Sequence, residues 1–311
     1  MKNRISGLFA FFVAGILALS CWQGSPSSGT NDYPAANYSS SPKVSSTPSN
    51  GNSSNNTNTN MSEKTKIGFS ANLPSGFVEP TDEVGKKLLR EYGSFFVARG
   101  GVTPPSVIVF KDESEVSAFQ SKLSKSNENI GGFNLELQSA AMDDLKKALA
   151  DAKSSGLSIS PRDADSAKRT YNETVGLWKS RVEPALKHWV GKGKLTQAEA
   201  DRIKAMSPYE QVPEVLKLEE KGIFFAKDLS KSIIYSVAPP GTSQHLSMLA
   251  LDVKEHDNAK VRELLAKYHW YQTVVSDLPH FTYLGADESA LPGLGLKKMT
   301  EGGRVFWVPD I

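Results

Sequence analysis

The sequence predicts an α+β fold, a mixed and mainly antiparallel sheet with helices on its flanks. Two observations support this prediction. Some segments repeat apolar residues with helical spacing, whereas other short runs are rich in β-branched and aromatic residues and end at Gly, Pro or Asp, as strands do. No internal repeat is visible, and the polar residues of chemical interest gather in the last third of the chain. We therefore expect a functional site held by the later strands.

The first 21 residues are predicted to be an export signal rather than part of the fold. Lys2 and Arg4 precede the apolar run GLFAFFVAGILAL, which is short for a membrane span, and Ser20 is a small residue before Cys21. The segment LALSC is similar to a bacterial lipobox, which implies that Cys21 carries a lipid anchor to the membrane of the cell envelope. An ordinary signal peptide is the alternative. Cys21 is the single cysteine of the chain, so it has little other use in an exported protein.

Residues 22–63 are predicted to be a flexible tether, because Ser, Asn, Thr, Pro and Gly dominate and there is almost nothing to bury. About 250 residues remain, enough for one large domain or for a small one and a larger one. We expect a small α/β accessory region over 64–130 and the main domain over 131–311. The net charge of +2 is too small to indicate nucleic acid, so we expect no nucleic-acid partner. We also expect a monomer.

Residues 64–162 alternate between predicted helices and short predicted strands. Thr81 is the expected N-cap of a helix that Gly100 and Gly101 end, and Gly156 stops a later helix. Acidic residues lie in the first turn of the helix predicted at 112–124. The predicted helices lie at 82–101, 112–124 and 142–156, and the predicted strands at 105–110, 133–137 and 157–160.

Residues 163–222 are predicted to be a mainly helical insert. Tyr171 and Trp178 follow helical spacing, Pro184 marks a break or kink, and Thr196 opens a capping box. After this insert the pattern returns to strands. The strands are predicted at 231–237, 249–253, 271–275 and 280–284, with a helix at 258–270 between them.

The stretch GTSQHLSMLALDV, residues 241–253, places His245 and Asp252 in an apolar setting. A buried charge is costly unless it is paired or bound to a metal. An unbroken strand would separate the two residues by roughly 23 Å on opposite faces, and a helix would hold them about 10 Å apart. A turn near 246–248, followed by a strand, would bring His245 back over Asp252.

Asp277 and His280 form a second pair, in the stretch SDLPHFTYLG. Together, His245, Asp252 and His280 leave the fourth position of a tetrahedral zinc site open, as catalytic zinc requires. A further carboxylate close to the last ligand is what such a site needs as a base, which makes Asp277 a candidate. The alternatives are a hydrogen-bonded cluster in an ordinary core and, for Asp277, a turn carboxylate.

These two stretches resemble the zinc D-alanyl-D-alanine carboxypeptidases and peptidoglycan endopeptidases of the VanY and VanX type. The family pattern runs S-x-H-x-x-G-x-A-x-D and then E or D-x-x-H, and the resemblance spans about residues 130–290. The matching positions are Ser243, His245, Ala250, Asp252, Asp277 and His280. The resemblance implies a divergent hedgehog/DD-peptidase fold, zinc ligation by both histidines and Asp252, and Asp277 as general base and acid.

The resemblance also implies an arginine that steadies the substrate or the transition state, which family members carry after a short strand, often in the context S-G-Y-R-S. Arg162, in LSISPRDAD, is the candidate in this chain; a solvated or salt-bridged arginine is the alternative. Three departures from the family concern the substrate: Met248 replaces glycine, Asp277 replaces the usual glutamate, and Pro279 replaces a frequent tryptophan. We expect Ser243 and Met248 to contact the substrate.

Two functions remain open at this point. In the first, the chain is a lipid-anchored zinc peptidase that hydrolyses the peptide stems of peptidoglycan, as a carboxypeptidase or an endopeptidase. In the second, the same fold binds cell-wall peptide without cutting it, with Met248 closing the cleft. The helical insert over 163–222 suits either function, as a substrate rim or as a partner surface.

Overall fold

The computed structural model describes residues 68–311, which fold into helices and short antiparallel strands. The predicted export signal, Cys21 and the tether over 22–63 lie outside the described residues. The helices are α1 (Phe69–Asn72), α2 (Glu83–Tyr92), α3 (Glu113–Gln120), α4 (Ser139–Ser154), α5 (Tyr171–Gly191), α6 (Gln197–Ala205), α7 (Pro208–Glu219) and α8 (Ala259–Lys267). The strands are β1 (Lys125–Ile130), β2 (Phe133–Gln138), β3 (Ala250–Asp252), β4 (Trp270–Tyr271), β5 (His280–Tyr283), β6 (Leu296–Glu301) and β7 (Arg304–Pro309). None of these helices is both long and apolar enough to cross a membrane.

Among the described strands, β3, β5 and β4 form one antiparallel sheet in that order. In its register, Asp252 on β3 lies opposite His280 on β5, and Ala250 lies opposite Thr282. The other strands form two hairpins, β1 with β2 and β6 with β7. The prediction of mixed helices and a mainly antiparallel sheet is confirmed.

The helices α5, α6 and α7 begin where their capping residues predict. Thr170 caps α5, Thr196 caps α6 and Ser207 caps α7, each in a capping box with a glutamate three residues later. The box predicted at Thr196 is therefore confirmed. Pro184, expected to break or kink its helix, lies inside α5, which continues to Gly191.

Three predicted strands are wrong. Residues 105–110 and 157–160 form no strand, and within 231–237 the chain makes a single turn of 3₁₀ helix, Ile233–Tyr235. The apolar residues of this last segment are buried against helices, since Ile233 belongs to the cluster that holds α5, α6 and α7 together. A short apolar run therefore indicates that the segment is buried. It forms a strand only where a neighbouring strand can pair with it.

The strand predicted at 133–137 is present as β2, but its partner β1 and both strands of the β6–β7 hairpin were missed by the sequence pattern. β1 reads KSNENI and is largely exposed, so it shows no apolar alternation. The hairpins turn at glycine pairs, Gly131–Gly132 and Gly302–Gly303, whose φ values lie between 55° and 90°. Two-residue hairpin turns need this backbone region, so the paired glycines were the available signal.

One apolar core joins the sheet to the first described residues. Phe69 and Phe96 pack in the same cluster as Leu249 and Phe281, with α4 and α8 as further walls. A second cluster holds α5, α6 and α7 together with Leu88 of α2. Residues on both sides of position 130 thus share a core, and a separate accessory role for 64–130 stays a prediction.

Candidate metal centre

A tight turn brings His245 and Asp252 together. Gln244–Ser247 form one turn of 3₁₀ helix, Met248 follows with a left-handed backbone at φ 57°, and β3 begins soon after. His245 Nε2 consequently lies 3.4 Å from Asp252 Oδ1. The turn expected near residues 246–248 is present.

Strand register adds His280 to this pair. His280 begins β5 directly opposite Asp252 on β3, and its Nδ1 lies 3.2 Å from Asp252 Oδ1. One ligand atom each from His245, Asp252 and His280 lies within 4.8 Å of the other two. All three side chains are buried. The structure therefore brings together the three residues predicted as metal ligands.

A backbone carbonyl determines which ring nitrogen of His245 carries the proton. Its Nδ1 lies 2.7 Å from Ala167 O, which can only accept a hydrogen bond, so Nδ1 carries the proton. Nε2 then has a free lone pair, and although buried it has no hydrogen-bond partner among residues 68–311. Burial lowers the pKa of His245 to about 4, against the opposing effect of the Asp252 carboxylate. This imidazole is therefore neutral near pH 7.

Gln244 fixes the proton of His280 in a similar way. Gln244 Nε2 donates to Tyr92 O at 2.9 Å, which turns Gln244 Oε1 toward His280. His280 Nε2 lies 3.0 Å from this oxygen and donates to it. In the neutral ring that donates from Nε2, Nδ1 carries no proton, and this nitrogen lies 3.2 Å from Asp252 Oδ1.

The two carboxylate oxygens of Asp252 have different partners. Oδ2 accepts a hydrogen bond from Arg169 at 2.9 Å, in an ion pair whose side chains are only 15% and 7% exposed. Oδ1 faces His245 Nε2 and His280 Nδ1. The ion pair keeps Asp252 ionised and orients Oδ1 toward the histidines.

The three donor atoms fit a zinc ion. Lone pairs of His245 Nε2, His280 Nδ1 and Asp252 Oδ1 face one another in a buried place, and they repel one another unless a cation lies between them. Nitrogen and carboxylate oxygen are the donors of catalytic zinc sites. The remaining ring nitrogens donate to Ala167 and Gln244, as the outer nitrogens of metal-bound histidines do.

A cleft of about 240 Å³ opens beside the three ligands, and Asp277, Arg162 and Ser243 all line it. Asp277 lies in the turn before β5, and its side chain reaches solvent. Desolvation at the cleft wall, followed by the negative charge of Asp252, raises the pKa of Asp277. A raised pKa brings this carboxyl closer to the range in which a general base works near neutral pH.

Arg162 lies at the exposed rim of the cleft. Its backbone N–H donates to Asp252 O at 3.1 Å, next to an isolated bridge between Pro161 and Val253. Its guanidinium forms no hydrogen bond or ion pair with the residues that the structure describes. It is therefore accessible to an anionic ligand in the cleft.

Met248 is placed differently from the expectation. Its side chain is fully buried, and the cleft is lined by other residues. Its left-handed backbone is one that glycine adopts easily, which agrees with the glycine of the resembled family at this position. Met248 therefore fills the core beneath the turn, and we withdraw the expectation that it contacts the substrate.

Arg169 and Gln244 are site residues that the sequence analysis missed. The signal for Arg169 lay in the stretch SAKRT, residues 166–170, where serine and arginine have the spacing of S-G-Y-R-S. This stretch matches the family context more closely than the segment around Arg162 does. Gln244 precedes the ligand His245 and carried no signal of its own.

Comparison with known proteins gives little beyond the site itself. No family model matches the chain, and no curated protein matches its sequence. A solved structure that is similar in part is a zinc(II)-bound mutant of the vancomycin-resistance D,D-pentapeptidase VanY from a VanB-type cassette. It is 15% identical over 53% of this chain and 82% of that chain, with a TM-score of 0.31. A likeness this weak assigns no function, so the evidence for function lies in the geometry of the site.

Proposed function

We propose that the chain is a zinc-dependent peptidase that hydrolyses the stem peptides of peptidoglycan, as a D-alanyl-D-alanine carboxypeptidase or a related endopeptidase. The observation that carries this proposal is the buried His245–Asp252–His280 cluster, in which one ring nitrogen of each histidine faces one carboxylate oxygen beside an open cleft. The resemblance of S-Q-H-x6-D and D-x-x-H to enzymes of the VanY and VanX type supports the substrate class.

His245, Asp252 and His280 are the residues that would hold the zinc ion. When bound, zinc makes water acidic enough to act as a nucleophile near neutral pH and polarises a peptide carbonyl. Asp277 takes a proton from the attacking water and returns it to the leaving amine. Its raised pKa and its place in the cleft lining support this role.

Two arginines have separate roles in this proposal. Arg162 pairs with the substrate carboxylate or with the oxyanion that develops at the scissile carbonyl. Arg169 is a positioning residue, since it holds Oδ2 of Asp252 and leaves Oδ1 to the ligand cluster. Ser243 lines the same cleft and contacts the bound peptide.

The predicted export signal and the lipobox-like segment ending at Cys21 support an activity at the cell envelope. Lipid on Cys21 anchors the chain to a membrane, and the tether over 22–63 lets the folded part reach the cell wall. We propose a monomer that has peptidoglycan peptide and membrane lipid as partners, and no nucleic acid.

The non-catalytic alternative depended on Met248 closing the cleft. Met248 lies in the core, whereas Asp277 lines the cleft beside the ligands. No observation on residues 68–311 favours that alternative.

Zinc content and hydrolysis of stem peptides that end in D-alanine test the proposed function. We expect one zinc per chain and cleavage of these peptides, and a loss of at least about 100-fold in kcat with zinc retained for Asp277→Asn. Asp201→Asn, on the exposed face of α6, is the matched control and should keep full activity. Stoichiometric zinc without cleavage of any stem peptide would refute the enzyme. An unchanged metal content in His245→Ala would refute the ligand assignment.

A further inference from the structure

One wall of the cleft comes from the helical insert. Thr174, Leu177 and Arg181 of α5 all line the cleft. Their spacing of three and four residues places them on one face of the helix. This face, with Tyr235 and Ser236 next to it, is defined here as the α5 wall. The α5 wall adds side chains to the cleft lining that do not support the candidate metal ligands.

Arg181 is held in a fixed direction on the α5 wall. Its Nε donates to Ser236 Oγ at 3.1 Å, and its Nη1 donates to Ser180 Oγ at 2.8 Å. Both partners are neutral hydroxyls, and Arg181 has no ion pair with a carboxylate among the described residues. Arg169, which also lines the cleft, differs because it forms ion pairs with Asp252 and Asp165.

Apolar surface lies beside this positive charge. Leu177 is 37% exposed and Tyr235 is 38% exposed, and both line the cleft. A guanidinium set among partly exposed apolar side chains favours a ligand that carries an anionic group on an aliphatic stem.

We infer that the α5 wall is a specificity subsite for an acidic residue of the peptide substrate, with Arg181 pairing with its carboxylate. Leu177 and Tyr235 contact the aliphatic part of the same residue. The inference rests on the proposed peptidase function and adds the chemical class of one substrate residue. Arg181 acts in substrate binding, because the reacting groups lie with the metal ligands and Asp277.

The competing explanation is that Arg181 only ties α5 to the segment of Ser236. In that case, replacing Arg181 weakens the binding of all peptides equally, or it lowers only the stability of the protein. A substrate pair that differs only in charge separates these explanations. We choose two stem peptides that are identical except that one acidic residue carries a carboxylate in the first and a carboxamide in the second.

Steady-state kinetics of the zinc-loaded enzyme on this pair give the first test. We expect a KM about tenfold lower for the carboxylate peptide in the parent enzyme. Arg181→Gln should raise that KM about tenfold, with kcat and the carboxamide KM changed by less than about twofold. Arg181→Lys should keep part of the preference, and Arg202→Gln, an exposed arginine on α6, should keep all of it. An equal KM for the two peptides in the parent, or an equal rise for both in Arg181→Gln, overturns the inference.

Peptide binding to zinc-loaded Asp277→Asn, measured by calorimetry, separates this inference from the proposed function. We expect tighter binding of the carboxylate peptide, and loss of that preference when Arg181→Gln is added. If this pattern holds while the parent cleaves no peptide, the subsite stands and the peptidase function fails. If the parent cleaves both peptides while binding shows no preference, the function stands and the subsite fails. Thermal melts of each variant confirm that it is folded.

Discussion

The Nδ1 atom of His245 lies 2.7 Å from the carbonyl oxygen of Ala167, although the two residues are 78 positions apart. The neighbours of Ala167 contact another ligand, since Asp252 N donates to Ser166 O at 2.8 Å and Arg169 binds Asp252 Oδ2. Residues at the start of the helical insert therefore support the candidate metal ligands by hydrogen bonds. They fix the tautomer of one histidine and the orientation of the carboxylate.

Gln244→Met should lower the affinity for zinc by roughly 10–100-fold, because Gln244 fixes the proton of His280 on Nε2. Competition with a chelating indicator measures this change, and a thermal melt shows whether the variant is folded. Gln197→Met, on exposed α6, is the matched control. An unchanged affinity in Gln244→Met would show that the tautomer of His280 is set by another contact.

The sequence analysis found the candidate ligands because metal ligation is restricted to few residue types. His245, Asp252 and His280 were identified from type and spacing, and the turn between the first two followed from geometry alone. Gln244 was missed because its role depends on a contact between segments 36 positions apart. Arg169 was missed because Arg162 was chosen as the candidate arginine, although the stretch SAKRT carried the closer spacing.

Several strands were predicted wrongly or missed for a related reason. Segments such as 231–237 bury apolar residues against helices, and burial alone does not determine secondary structure. The polar strand β1 is stabilised by pairing with β2, so its own sequence shows little sign of a strand. Alternation of apolar residues finds strands only where one face of the strand is buried.

Arg169→Met should destabilise the metal-free protein by about 3–5 kcal/mol, because it leaves the buried Asp252 charge without its partner. Zinc should reduce this loss, since a cation at the ligands compensates the same carboxylate. Urea unfolding with and without zinc measures both effects. Arg202→Met removes an exposed pair with Glu214 and should cost less than about 1 kcal/mol. An equal loss with and without zinc contradicts the coupling between Arg169 and the metal site.

We expect ionisation of Glu91 to lower the free energy of unfolding as the pH rises. Ser276 Oγ donates to its carboxylate at 3.2 Å, but burial raises the pKa of Glu91 from 4.5 to about 7. The pKa is thus higher in the folded state, so the folded protein holds a proton that the unfolded chain releases between about pH 4.5 and 7. Stability from this group is present at low pH and is lost as the pH rises through 7.

Glu91→Gln should therefore be more stable than the parent by roughly 2–3 kcal/mol at pH 8, and the gain should shrink toward pH 5. Urea unfolding of both proteins across this pH range measures the difference. Glu183→Gln, an exposed position on α5, serves as the control and should show no such trend. A constant difference between Glu91→Gln and the parent would mean that Glu91 titrates alike in the folded and unfolded states.

Met248 combines a buried side chain with a left-handed backbone, and two substitutions separate these features. Met248→Ala removes buried side-chain volume at a cost of about 2–5 kcal/mol and keeps the strain of a side chain at positive φ. Met248→Gly removes the same volume but relieves that strain, so it should be more stable than Met248→Ala by about 1 kcal/mol. Urea unfolding measures this order. Because the side chain lies outside the cleft, both variants should keep the parent KM for stem peptides once folded. A large change in KM would show that Met248 does contact the substrate.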